Sequence, residues 1–82
     1  MMAKHLQEYR FQKCSDIDKE LPIFEVVTKN GTIIIDISMN DENGDIEVFF
    51  HDGIAKTIVT IGAIRQIIDE GEALLRSEMS SA

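Results

Sequence analysis

The most regular stretch of the chain is Thr32 to Met39, where Ile33, Ile35, Ile37 and Met39 alternate with Ile34, Asp36 and Ser38. A period of two puts alternate side chains on opposite faces of a strand, so the first set is assigned to the core and the second to the outside. The same rule applied to Asp45 to His51 turns Ile46, Val48 and Phe50 inward and Glu47, Phe49 and His51 outward. Ile23 to Thr28 is rich in β-branched and aromatic residues and reads as a strand, and Ile54 to Thr60 reads as another. Between them stand turn signals. Asn30-Gly31 fits a two-residue type I′ hairpin, Asn40 to Gly44 fits a longer polar loop, and Asp52-Gly53 fits a second tight turn.

After Thr60 the period lengthens to about 3.6. Ile61, Ile64, Ile67, Ile68, Gly71, Leu74 and Leu75 form one stripe, Thr60 is placed to cap the helix, and Arg65, Asp69, Glu72 and Arg76 are spaced for two ion pairs on the other side. The tail from residue 79 to 82 is expected to fray. The first 22 residues, closed by Leu21-Pro22, are ambiguous. Leu6, Tyr9, Lys13, Ile17 and Leu21 suit a helix or irregular arm, the preferred reading, while Tyr9, Phe11 and Lys13 would suit one face of an added strand. The expected fold is α+β: an antiparallel meander of three or four strands over 23–60, with the amphipathic helix of 61–78 packed on one face.

With 82 residues, the chain is read as a single domain, since neither half could bury a core. Burial of about 120 kcal/mol is met by a similar loss of conformational entropy at ~1.5 kcal/mol per residue, so docking on a copy or a partner would help stability. No apolar run reaches the ~20 residues of a membrane span, and Met1 to Glu8 does not read as a signal peptide. Cys14 is the only cysteine, which fits a reducing compartment; cytoplasm is the expected location.

The net charge of −7 is unevenly spread. Residues 1–29 balance five acids against five bases, whereas residues 30–55 contain Asp36, Asp41, Glu42, Asp45, Glu47 and Asp52 with no Lys or Arg. Such a stretch repels phosphate and argues against direct nucleic-acid binding. Asp41-Glu42-Asn43-Gly44-Asp45 resembles the opening of an EF-hand calcium loop, with oxygen side chains at the first, third and fifth positions. Ile46 stands where that loop needs glycine and Asp52 where it prefers glutamate, so a polar hairpin loop is the favoured reading and no metal or cofactor is assigned. Cys14, His5 and His51 could supply a thiol and a base, but one of each is what chance provides, and no enzymatic activity is expected. Gly62 near the helix start is better explained by close packing than by anion binding.

The remaining feature is the outward face. Ile34, Phe49 and one of Val26 or Val27 are expected there as an apolar centre among Glu25, Asp36, Glu47 and His51, with Asp41, Glu42 and Asp45 in the adjoining loop, unless the N-terminal segment folds over this face and buries it. That composition suits a small acidic protein that blocks a basic site on a macromolecular partner, as inhibitors and immunity proteins of phage and bacterial type do. The alternative is a homo-oligomeric structural or accessory subunit, such as a homodimer, in which the outer face or an edge strand pairs with a copy.

Overall fold

The structure, a computed structural model, describes residues 3–15, 17–18 and 20–80. Its main sheet has four antiparallel strands in the order β2 (Tyr9–Cys14), β3 (Ile23–Thr28), β4 (Ile33–Met39) and β5 (Ile46–Phe50). A two-residue strand, β1 (Lys4–His5), pairs in parallel with β6 (Thr57–Ile58), and the helix α1 (Ile61–Ser80) follows. The expected α+β meander with a C-terminal helix on one face is present. Two of its parts differ from the sequence reading.

The first is the N-terminal segment, where the strand alternative holds over the helix: its described residues form an arm with two strands, β1 and β2. Phe11 faces Val26 and Lys13 faces Phe24 on β3, so Tyr9, Phe11 and Lys13 lie on the helix side of the sheet. There the Tyr9 hydroxyl donates to Glu70 at 3.1 Å and Lys13 pairs with Glu78 at 2.7 Å. Tyr9 and Phe11 also meet edge to face, with ring centroids 5.9 Å apart. Helical spacing in this segment served only three apolar residues, whereas the strand places both aromatic rings beside α1.

Burial, followed by the hydrogen bond to Glu70 and its charge, raises the Tyr9 hydroxyl above its ordinary pKa. The folded state therefore holds this proton more tightly than the unfolded chain. Its contribution is complete below the unfolded value of about 10 and is lost as pH rises through the folded value. Urea midpoints measured between about pH 9 and pH 12 should fall more steeply for the native chain than for Tyr9→Phe.

The second difference lies after β5. The expected tight turn at Asp52-Gly53 and strand over 54–60 are instead a 3-10 helix, Asp52–Lys56, and the short β6. The Ile54 N–H donates to the His51 carbonyl and the Thr57 hydroxyl to the Gly53 carbonyl, closing the turn on itself. Gly53 permits the close approach: a Cβ there would sit 2.7 Å from Thr32 Cγ2 and 3.1 Å from the Ile33 carbonyl. The fourth strand of the sheet is thus β2, and the main sheet ends at Phe50.

The hairpin after Thr28 forms at Asn30-Gly31, but as a three-residue loop. The Gly31 N–H donates to Thr28 O and the Thr28 N–H to Thr32 O, while only Gly31 takes a positive φ, +88°. Asn30 does not, which excludes the type I′ turn and matches a type I turn closed by a left-handed glycine. The core joins Phe24, Val26, Ile35 and Ile37 of the sheet to Ile67 and Leu75 of α1. Gly71 brings the helix backbone against Ile37, where a Cβ would run into its side chain. Thr60 caps α1 as expected, its hydroxyl accepting from the Ala63 N–H at 3.1 Å. Glu72 and Arg76 form their pair at 2.7 Å, while no Arg65–Asp69 pair forms among the described residues. The helix continues to Ser80, beyond the expected end, and Ser81 and Ala82 of the expected frayed tail lie outside the described residues.

Candidate interaction surface

The sheet face turned from α1 carries the residues singled out by charge and alternation. Asp36 on β4 stands opposite Phe49 on β5, and Ser38 stands opposite Glu47, so one face holds Asp36, Glu47 and Phe49. His51 follows on the same side. Its Nε2 lies 2.9 Å from Asp36 Oδ2, close enough for an ion pair when protonated but not aligned as a hydrogen bond. The imidazole also meets Phe49 edge to face at 5.1 Å between centroids. Asp36 Oδ1 is buried and accepts no hydrogen bond among the described residues. Phe49 is 62% exposed despite these contacts.

Ile34 does not belong to this surface. It is fully buried, contrary to the expectation from alternation. Val26 stands opposite Ile35 and Val27 opposite Ile33, so Ile34 is an extra residue that bulges β4. The 3-10 helix packs onto β4 at this point, with Gly53 beside the Ile34 side chain. An expected apolar centre of Ile34 and Phe49 is therefore reduced to Phe49.

Asp41, Glu42 and Asp45 are exposed in the loop between β4 and β5. Asn40 Oδ1 accepts from the Glu42 N–H at 2.8 Å and Asn43 Oδ1 from the Asp45 N–H at 2.9 Å, while the Asn40 amide donates to Glu47. These side-chain turns make the polar hairpin loop and commit Asn43, the third oxygen position of the calcium-loop resemblance, to the backbone. Among the described residues no three His, Cys, Asp or Glu side chains are grouped as a metal site would require.

Cys14 and His51 do not meet. Cys14 ends β2 at one edge of the sheet and His51 follows β5 at the other, with β3 and β4 between them. The opposite end of the molecule has a feature that sequence reasoning missed: an open cleft of about 750 Å³ lined by Lys4, His5, Lys29 and Lys56 together with Glu8 and Asp52. The lysines come from distant parts of the chain, and only the parallel β1–β6 pairing brings Lys4 and Lys56 together. The protein is thus acidic at the loop of residues 40–45, while Lys4, Lys29 and Lys56 gather at the other end of β4 beside Glu8 and Asp52. No described helix is long and apolar enough to cross a membrane. In comparisons with known proteins, no protein-family model, no curated protein and no solved structure matches this chain.

Proposed function

We propose that this chain is a small acidic binding module that docks the outer face of β4 and β5 on a basic surface of a protein partner and blocks or regulates it. The observation that carries this reading is the exposed Phe49 ring, framed by Asp36, Glu47 and His51, on a part of the chain with no Lys or Arg. An aromatic side chain already oriented by a neighbouring ring loses little freedom on docking, and carboxylates around it favour a cationic partner and accelerate encounter. The role is that of an inhibitor, immunity or regulatory protein of phage or bacterial type, acting by binding and not by catalysis, in a reducing cytoplasm where exposed Cys14 stays a thiol.

Capture of partners on the immobilised chain at about 50 mM and 500 mM salt tests it, because a charge-steered complex weakens as the Debye length shrinks. Phe49→Ala should weaken the captured complex by about 30-fold or more with little change in melting temperature. Glu47→Lys should slow association and flatten its salt dependence. A complex unaffected by both substitutions and by salt would place the partner on another surface and refute this reading.

A further inference from the structure

Among the described residues the far edge of the sheet, β5, has no strand beside it, and its surroundings are largely apolar. Ile46, Val48 and Phe50 share the face on which α1 lies, yet Phe50 is 53% exposed because the helix sits toward β3 and β4. Glu70 and Glu78 hold one side of α1 toward β2. At 3.6 residues per turn, Ile61, Ile68 and Met79 fall roughly 160–180° around the helix from Glu70, on the flank turned toward β5. Ile61 is 70% exposed, and Ile68 and Met79 are exposed as well. Edge and helix flank together leave apolar side chains open to solvent, with the Glu72–Arg76 pair beside them.

The hydrogen-bonding groups of β5 fix what can pair with it. The His51 N–H donates to Ile34 O, and the Asn40 N–H donates to Asp45 O. Antiparallel ladders alternate, so residues 45, 47, 49 and 51 direct their backbone groups at β4, while Ile46, Val48 and Phe50 direct theirs outward. A second β5 laid antiparallel with Val48 on a two-fold axis puts Ile46 opposite Phe50, Val48 opposite Val48, and Phe50 opposite Ile46. Every outward amide and carbonyl of the edge then has a partner, and every pair on the helix side is apolar. On the other face, Glu47 meets Phe49, so no like charges oppose one another. Centring the pair on Glu47 instead would place two carboxylates face to face, and centring it on Phe49 would leave Ile46 opposite Asp52.

We infer that two copies of this chain associate through β5 in the Val48-centred register, forming a continuous eight-stranded sheet with both helices on one side. The edge lacks the usual protection: β5 has no Lys, no Pro and no bulge. The opposite edge, β2, carries Arg10 and Lys13 and so opposes its own pairing. The dimer uses the β5 edge and not the proposed docking face, although Glu47 and Phe49 of that face would flank the seam, and it has the opposite salt response. Two copies of charge −7 repel, so screening should strengthen the dimer, whereas it should weaken a complex with a basic partner.

Sedimentation equilibrium of the full chain is expected to show a dimer whose dissociation constant is lower at 500 mM than at 50 mM salt. Val48→Pro removes an outward N–H without touching the β4 ladder and should raise that constant by about 100-fold or more, with the circular dichroism spectrum retained. Should that variant fail to fold, Val48→Lys and Val48→Glu chains give a second reading: each monomeric alone, associating when mixed. A mass that stays monomeric up to about 1 mM, or a dimer in which the Ile46, Val48 and Phe50 amides exchange freely with solvent, would overturn the inference. So would an edge filled only by the strand of an unrelated partner.

Discussion

Shortening Ile37 to alanine is expected to lower stability by about 2–5 kcal/mol, much of the total available to a small domain. Ile37 is buried where three elements meet: Phe24 across the β3 pairing, Val48 across the β5 pairing, and Gly71 of α1 above it. The vacated space has little chance to collapse, because the helix is already at backbone contact and is tied to β2 at Tyr9 and Lys13. The complementary change tests the same contact from the other side. Gly71→Ala should gain about 1 kcal/mol in helix propensity but lose more to the clash with the Ile37 terminal methyl. In an Ile37→Val background that methyl is gone, so Gly71→Ala should be close to neutral or stabilising. Chemical denaturation of the four proteins should therefore give a favourable coupling of about 1–2 kcal/mol. Additive effects would mean that the helix does not rest on Ile37.

Ile34→Asn is the second large expected effect, because simple alternation and the structure disagree about it. On the outer face of a regular strand, this substitution would change stability by within about 0.5 kcal/mol. In the structure Ile34 is fully buried beneath the 3-10 helix, so an asparagine there loses the apolar burial and leaves its amide short of partners. A loss of about 3–5 kcal/mol follows. Urea unfolding monitored by circular dichroism measures it directly, and a midpoint close to that of the native chain would restore Ile34 to the surface.

Ile34 also shows where the sequence was legible and where it was not. The alternation in residues 35–39 and 46–50 identified the faces of β4 and β5, and the switch to a helical period marked α1 with Thr60 as its cap. Those patterns are local. A bulge breaks the count at one residue, and it is supported by a 3-10 helix that comes eighteen positions later, since Gly53 packs on Thr32 to Ile34. No short window contains both. The N-terminal arm was ambiguous for a related reason: Tyr9 and Lys13 are justified by Glu70 and Glu78, more than sixty residues away. In the candidate surface, Asp36, Glu47, Phe49 and His51 could be grouped because two adjacent strands carry them. The lysine-lined cleft could not, because a parallel pairing between residues 4–5 and 57–58 assembles it.

That parallel pairing also sets an order of assembly. The meander of β3, β4 and β5 involves only hairpin closures, whereas β1 can find β6 only after more than fifty intervening residues have been made, and β2 gains Glu70 and Glu78 later still. Ile67, Gly71 and Leu75, which cover the apolar side of the sheet, lie on α1 and follow every strand in the chain. During translation the nascent meander therefore presents Val26, Ile35 and Ile37 to its surroundings until the C-terminal helix arrives. Arrival of α1, not growth of the sheet, is the event that commits this fold to its native state.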